Sequence, residues 1–231
     1  MSAPTFSETS SQKPYLAALV MLTALAAALR IYGLNSELWY DEIKTVLDSV
    51  RPPLASILTV FPSNNDHKFY SLLAHFSVSA FGEAPWSLRL PSLLFAIASI
   101  PLLYFFGRRA TGRLEALLAA ALLAVSYHHI WYAQSARGYT MLLFFTLATS
   151  ALLVEAIRAP RAKTYALYAA AAALGCYTHL TMVYIVISHA MIAGANILLT
   201  QRGKFSLKPY LPPAFGFVLA GVFTILLYLP M

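Results

Sequence analysis

The residues best suited to acid–base chemistry are two adjacent carboxylates, Asp41 and Glu42. They follow Trp39 and Tyr40, and aromatic residues of this kind are enriched where a membrane meets water. A carboxylate at that depth, with a second acid beside it, is the residue type that a general base requires. Acids in the first turn of a helix also stabilise its dipole. The pair alone therefore leaves a structural and a catalytic interpretation open.

A second polar cluster, Tyr127–Tyr139, contains one cation, Arg137, at the end of an apolar run. A cation there costs free energy unless its side chain snorkels to water or finds an anion. A guanidinium binds phosphate oxygens in a bidentate manner, so a lipid phosphate is a natural partner, with snorkelling as the alternative. His128 and His129 favour a metal only weakly, because adjacent helical side chains point roughly 100° apart.

Two further histidines have polar neighbours but no motif of their own. His179 ends the segment Tyr177–His179, and His67 precedes Lys68. Each of them alone has a structural interpretation as well as a functional one. The sequence contains no P-loop, dinucleotide-binding glycine pattern, nucleophile elbow or metalloprotease helix, which argues against nucleotide-dependent chemistry.

The elements that carry these residues follow from the composition. Of the 231 residues, 59% are hydrophobic and only 11% are charged, whereas soluble domains are about 25% charged. Disorder is excluded by the apolar content, and a disulfide scaffold is excluded because Cys176 is the single cysteine. The fold class that remains is an all-α polytopic membrane protein.

Apolar runs close to the roughly 20 residues that a bilayer requires predict seven spans. A weaker run, Phe69–Gly82, is too short to cross at about 1.5 Å per residue, so it is predicted to be an interfacial or re-entrant helix. The predicted spans are Pro14–Leu34, Leu88–Gly107, Leu114–Ile130, Tyr139–Ile157, Thr164–Leu180, Thr181–Thr200 and Leu211–Met231.

Charge predicts the orientation of these spans. The connectors 108–113, 158–163 and 201–208 are basic and lack acids, which places them and the N-terminus in the cytoplasm. An eighth span at Phe69–Gly82 would put 108–113 on the other side. With the seven spans, the net charge of +7 is cytoplasmic and implies no nucleic-acid partner. The first span is interpreted as an uncleaved signal anchor rather than a signal peptide.

The predicted outer side carries as many acids as bases. The first outer loop, 35–87, is the only long connection, and such loops tend to be functional. Within it, Asp41–Val50 has the pattern of an amphipathic helix lying on the membrane, with Ile43, Val46, Leu47 and Val50 on one stripe. The outer acids are Glu37, Asp41, Glu42, Asp48, Asp66 and Glu83, and the outer bases are Arg30, Lys44, Arg51, Lys68, Arg89 and Arg137.

Taken in order along residues 14–200, the motifs resemble membrane glycosyltransferases of the GT-C class. The resemblance is to the bacterial branch related to protein O-mannosyltransferases and the lipid A aminoarabinose transferase (glycosyltransferase family 39-like). The motifs that carry it are Trp39-Tyr40-Asp41-Glu42, His67 before Phe69-Tyr70, Phe81-Gly82, Leu88-Arg89-Leu90-Pro91-Ser92, Gly107-Arg108-Arg109, Ile130–Tyr139 and Tyr177-Thr178-His179.

The resemblance implies a polyprenyl-phosphate-linked sugar donor and a glycan, lipid or protein acceptor at the outer face of the inner (plasma) membrane. It implies Asp41 as the base that deprotonates the acceptor hydroxyl, supported by Glu42. Whether Mg²⁺ or Mn²⁺ is a cofactor stays open. Relatives often carry an acid at the position of Ser135, and its absence weakens a metal-assisted mechanism. The residues expected to bind substrate are His67, Lys68, Gln134, Arg137, Tyr139 and His179.

The chain is treated as one domain, 1–231, with outer loops 35–87 and 131–138. Relatives of this class usually continue into further helices, so the sequence is a short module, a fragment or a truncated product. Two alternatives to the enzyme stay open: a transporter or flippase of lipid-linked sugars, and an inactive module that needs a partner. Ionisable residues at mid-span would favour transport, and His189 is the main one.

Overall fold

The computed structural model describes residues 12–62, 66–201 and 206–231, and their regular structure is entirely helical, as predicted. A π-helical turn, Val46–Val50, follows the second α-helix, and a 3-10 turn, Lys208–Tyr210, precedes the last. The α-helices are α1 (Lys13–Tyr32), α2 (Tyr40–Thr45), α3 (Leu54–Thr59), α4 (Lys68–Phe81), α5 (Pro85–Ala110), α6 (Arg113–Val125), α7 (Tyr127–Ala133), α8 (Tyr139–Arg158), α9 (Ala162–Thr178), α10 (Met182–Thr200) and α11 (Leu211–Tyr228).

Five helices in the described part of the chain are long and apolar enough to cross a membrane: α1, α5, α8, α10, and α11 with the turn before it. The pair α6 and α7 forms a sixth span if it is counted as one broken helix. The remaining predicted span corresponds to α9, which has 17 residues. The chain is thus an integral membrane protein, and the total of seven spans stays a prediction.

The weak apolar run forms a separate short helix. Helix α4 has 14 residues, a length of about 21 Å at 1.5 Å per residue, which is too short to cross the hydrocarbon core. It packs on α3, α5, α9 and the π-helical turn. This arrangement agrees with an interfacial helix under the first outer loop.

Cysteine labelling tests the predicted topology. In a Cys176→Ser background, a cysteine at Glu83, in the exposed turn after α4, is expected to react with an impermeant maleimide from outside the cell. A cysteine at Thr111, in the exposed turn after α5, is expected to react only after the membrane is permeabilised. Labelling of Glu83 from the cytoplasm would instead make α4 an eighth span.

Helices α6 and α7 meet at a 58° bend, which the sequence did not predict. The bend frees carbonyl groups at the end of α6, and Arg30 of α1 binds them. Its Nη1 donates to the carbonyl of Ala124 at 2.9 Å, and its Nη2 donates to Leu123 at 3.1 Å. Nη2 also lies 2.6 Å from Nδ1 of His129. A side chain that takes carbonyls out of the helical ladder is a recognised cause of a kink.

Small residues bring the helices close together. Ala116, Ala120 and Ala124 follow each other at four-residue spacing on α6, and all three are buried in a cluster with Leu19 of α1 and Ile100 of α5. Residues at this spacing share one helix face, and small side chains allow close backbone approach in membranes. This packing joins α1, α5 and α6.

The residues of the predicted amphipathic stripe lie in two environments. Val46 and Val50 are buried, whereas Ile43 and Leu47 are about half exposed, at 45% and 51%. The physical reason is the buried carboxylate of Glu42, which turns its own face of α2 toward the protein core. The π-helical turn then changes the angular spacing of the residues that follow.

Candidate active site

The exposed carboxylate of Asp41 lines a cavity of about 320 Å³. Asp41 is the second residue of α2, and its side chain is 64% exposed. The indole rings of Trp39 and Trp131 contact each other edge to face at 5.9 Å. The cavity is lined by Trp39, Asp41, Glu42, Trp131, Tyr132, Ser135, Arg137 and Tyr139.

Arg137 is the cation of this cavity, and its side chain is only 11% exposed. Nη1 lies 3.7 Å from Oδ2 of Asp41, which is too long for a hydrogen bond. Nη2 donates to the hydroxyl of Tyr139 at 3.2 Å. Nε and Nη1 have no hydrogen-bond partner among the residues that the structure describes. Buried donors of this kind usually have partners, so the guanidinium is suited to receive an anion.

Glu42 is buried and forms a bidentate ion pair with Arg89 of α5. Its carboxylate oxygens lie 2.8 Å from Nε and 2.7 Å from Nη2 of Arg89. They also accept the backbone N–H groups of Ala136 and Trp39, at 2.5 and 3.0 Å. Because four donors use this carboxylate, Glu42 connects α2, α5 and the second outer loop. Its predicted support of Asp41 therefore acts through position.

The buried pair is expected to matter for stability. We expect Arg89→Met to lower the free energy of unfolding by about 3–5 kcal/mol, because it leaves Glu42 as an uncompensated buried charge. The measurement is thermal unfolding of the purified protein in detergent. Arg51→Met, which breaks the exposed Arg51–Glu83 pair, is the matched control and should change little. Equal effects of the two substitutions would contradict the structural importance of Glu42.

Successive residues of the second outer loop form hydrogen bonds to different helices. Gln134 donates from Nε2 to the carbonyls of Leu29 and Arg30 at the end of α1. The amide of Ala136 binds Glu42, as described above. The backbone carbonyl of Arg137 accepts the hydroxyl of Ser92 at 2.7 Å. These contacts place the Arg137 side chain in the cavity and leave Gln134 outside it.

Gly138 completes the loop because a side chain does not fit there. A Cβ at this position would lie 2.7 Å from Nδ1 of His67 and 2.8 Å from Thr178. Its N–H donates to Nδ1 of His67 at 2.8 Å. Since Nδ1 is the acceptor, the neutral imidazole carries its proton on Nε2. The loop thus fixes the tautomer of His67.

His67 and His179 line a smaller adjoining cavity of about 130 Å³ rather than the Asp41 cavity. Their rings lie 4.8 Å apart, and the ring of Tyr139 contacts both, at 5.1 Å from His67 and 5.8 Å from His179. Tyr139 therefore stands between the two cavities. Sequence reasoning predicted all of these residues in one site, and the structure places them in two neighbouring compartments.

Both histidines are held in the neutral form. Burial, and then the positive charge of Arg137, lower the pKa of His67 to about 3. The same two causes lower the pKa of His179, whose Nδ1 accepts the N–H of Thr181 at 3.2 Å. At neutral pH, His67 is therefore a hydrogen-bond donor through Nε2 and does not carry a charge.

Lys68 does not line either cavity. Its ammonium lies 2.7 Å from Oδ2 of Asp66, and it donates to the carbonyls of Ile57, at 3.0 Å, and of Val60. The ammonium thus donates to two carbonyl groups and forms an ion pair with Asp66. Lys68 thus fastens α3 and the segment after it to α4, and its predicted contact with substrate stays a prediction that this geometry does not favour.

Most of the predicted outer acids and bases contact each other in pairs. Glu83 and Arg51 pair at the surface at 2.6 Å, and their hydrogen bonds lower the pKa of Glu83 and raise that of Arg51. Together with Glu42–Arg89, Asp66–Lys68 and Asp41–Arg137, four of the predicted outer acids contact four of the outer bases. In the contact between Asp41 and Arg137, Asp41 is exposed and Arg137 is mostly buried.

A role for Mg²⁺ or Mn²⁺ stays an open prediction. Within the described ranges, no three His, Cys, Asp or Glu side chains are grouped so that they could hold a metal ion. His129, considered weakly for a metal, contacts Arg30 instead. Asp41 and Glu42 diverge, since one faces the cavity and the other is engaged by Arg89.

Sequence reasoning did not assign a function to Arg89, Arg30, Asp66 or Ser92, although the first three were counted among the outer charges and Arg89 was part of a motif. The available signal was a cation inside an apolar helix, which requires a partner. The identity of each partner depends on tertiary contacts, such as the one between Arg89 and Glu42.

Comparison with known proteins identifies the family of the chain. A search of curated proteins found no match. The sequence model of the dolichyl-phosphate-mannose-protein mannosyltransferase family matches residues 69–228. This range includes Gln134, Arg137, Tyr139 and His179, while Asp41 and His67 lie before it. The match covers more than half of the chain, which therefore belongs to this family of GT-C glycosyltransferases that use lipid-linked donors.

Proposed function

We propose that the protein transfers a sugar from a polyprenyl-phosphate-linked donor to an acceptor hydroxyl, with Asp41 as the general base. The observation that carries the proposal is the pair of opposite charges in one cavity. Asp41 is exposed and able to accept a proton, while Arg137 is buried with two unused donors. The family description names a dolichyl-phosphate-linked mannose donor and a protein acceptor. For this chain we propose only the class of donor, a sugar linked to polyprenyl phosphate, and we name neither the sugar nor the acceptor.

The reaction needs one proton transfer and one bond exchange. Asp41 takes the proton of the acceptor hydroxyl, and the acceptor oxygen forms a bond to the anomeric carbon. The bond between that carbon and the phosphate oxygen breaks, and its electron pair leaves with the polyprenyl phosphate. The guanidinium of Arg137 stabilises the charge that develops on the phosphate. At about 320 Å³, the cavity is in the size range of ligand sites.

The other predicted residues contribute in different ways under this proposal. Tyr139 lines the cavity and holds Arg137 through its hydroxyl. His67 and His179 extend the site into the adjoining cavity. There the neutral Nε2–H of His67 can donate a hydrogen bond to the phosphate or the sugar of the lipid-linked substrate. Gln134 acts by fixing the loop, and Glu42 fixes both the loop and α2.

We place the site at the outer face of the inner (plasma) membrane and the N-terminus in the cytoplasm. The supporting argument is the three basic connectors, which the positive-inside rule assigns to the cytoplasm. The ends of α5, α8 and α9 that carry Arg89, Tyr139 and Thr178 are opposite to those connectors. A donor lipid in the outer leaflet then presents its phosphate at the depth of Arg137.

The transporter alternative has less support. His189, the main ionisable residue at mid-span, contacts the hydroxyls of Ser150 and Tyr168, each at 3.1 Å. Its ring thus connects α8, α9 and α10 as a structural cluster. The polar cavities lie at the ends of the helices instead, where surface chemistry takes place.

A transfer assay tests the proposed function. The purified chain in proteoliposomes is given a panel of polyprenyl-phosphate sugars with glycan, lipid and peptide acceptors, and products are identified by mass spectrometry. We expect one donor and acceptor class to give a glycosylated product. If a folded chain gives no product with any pair, the proposal that this chain alone is active is wrong.

A further inference from the structure

A third cavity lies at the end of the bundle opposite to Asp41. It has a volume of about 210 Å³ and is bordered by α8, α9, α10 and the segment that begins α11. Helix α8 starts at Tyr139 in the candidate site and ends at Arg158 beside this cavity. The cavity therefore faces the membrane side where the basic connectors lie.

The wall of this cavity is mostly apolar. Its lining includes Ile157, Pro160, Ile197 and Pro213, with the polar side chains of Asn196 and Tyr165 among them. Asn196 is half-buried. An apolar wall with one amide suits the part of a lipid where acyl chains meet the headgroup, whereas a small soluble anion finds few polar partners in it.

Three cations lie close along the chain to residues of the cavity wall. Arg161 follows the lining residue Pro160, Lys208 precedes the lining residue Pro209, and Lys163 lies two residues before Tyr165. All three are exposed, and no ion pair engages them within the described residues. Basic pockets between transmembrane helices on the cytoplasmic side bind lipid phosphates.

The nearby acid does not neutralise these cations. Glu155 lies 3.4 Å from Arg109 of α5, and Arg158 donates to the backbone carbonyl of Arg109 at 2.8 Å. Glu155 is thus directed to α5, and the side of the cavity formed by α9 and α11 keeps its positive charge.

We propose that this cavity binds an anionic phospholipid, with its phosphate on Arg161, Lys163 and Lys208 and the start of its acyl chains on the apolar wall. The site is separate from the proposed transferase site, so that one is testable without the other. A lipid bound here connects α8, α9, α10 and α11 and stabilises their cytoplasmic ends.

Thermal unfolding of the purified chain in mixed micelles tests the proposal. Phosphatidylglycerol is expected to raise Tm by about 5 °C over phosphatidylcholine when the lipid is in large excess over its Kd. The triple variant Arg161→Gln/Lys163→Gln/Lys208→Gln should lose this difference. Asn196→Leu, which removes the amide of the wall and keeps the cations, should reduce it as well.

The matched control is Arg108→Gln/Arg113→Gln, which removes two cations from another connector on the same predicted side. It should keep the response to phosphatidylglycerol. Equal Tm values of the wild type in both lipids would overturn the proposal. So would a loss in the control as large as in the triple variant, because the effect would then be general surface charge. A shift produced by soluble glycerophosphate would overturn the assignment to a membrane lipid.

Discussion

Asp41→Asn is expected to reduce the rate of sugar transfer by roughly 10²–10⁴-fold, the usual contribution of a general base. Asparagine is nearly isosteric with aspartate but does not take a proton from the acceptor hydroxyl. The side chain is 64% exposed, and its ion-pair contact with Arg137 is 3.7 Å long. The substitution should therefore leave the fold and the binding of the donor nearly unchanged.

The control for this prediction is Asp48→Asn. Asp48 is an exposed acid in the π-helical turn that follows α2, so its substitution removes the same charge from the same loop. We expect its transfer rate to equal that of the wild type. Near-normal transfer by Asp41→Asn, at equal expression and equal Tm, would show that another group is the base.

Arg137→Ala is expected to lower kcat/KM for the donor by about 10²–10³-fold, the scale measured when a single donor to a developing oxyanion is removed. The guanidinium lies beside Asp41, the proposed base, and has two buried donors without a hydrogen-bond partner among the described residues. Arg137→Lys keeps the charge and loses the fork, so we expect an intermediate loss. The measurement is the steady-state rate at varied donor concentration.

Arg51→Ala is the matched control. Arg51 lies in the first outer loop, and its partner, Glu83, is exposed. Its donor kinetics should be those of the wild type. An unchanged kcat/KM for Arg137→Ala would mean that its guanidinium only stabilises the loop, and Tm would then fall without a kinetic effect.

The fold class was predictable from the sequence because hydrophobic run length decides membrane insertion. The run Leu114–Ile130 was predicted as one span, but the sequence did not indicate that it bends by 58° between α6 and α7. Neither proline nor glycine marks the bend. It is stabilised by Arg30, which lies more than 90 residues away and binds the carbonyls of Leu123 and Ala124. Such a tertiary contact leaves no local pattern.

The sequence predicted several residues of the candidate site, but it did not predict which side chains contact each other. The sequence pointed to Asp41, Arg137 and Tyr139, and the structure places all three on one cavity. The sequence placed Glu42 and Arg89 among the outer acids and bases, but it did not show that the two side chains pair with each other. Lys68 has a plausible position in the chain, and only the folded structure shows that Asp66 engages it.

The division into two cavities also depends on tertiary structure. His67 and His179 are more than 100 residues apart, and their rings meet at 4.8 Å because Gly138 allows His67 to approach the loop. The sequence contained the glycine, but its meaning appears only with the histidine and Thr178 packed against it.

The central claim is that the bond between sugar and phosphate breaks in this protein. Proteoliposomes that contain the wild-type chain and a radiolabelled polyprenyl-phosphate sugar, with acceptor on the side of Asp41, test it most directly. The account predicts free polyprenyl phosphate in an amount equal to the glycosylated acceptor, and neither product with Asp41→Asn. Movement of the intact lipid-linked sugar across the membrane, with no polyprenyl phosphate released, would contradict the account and identify a transporter.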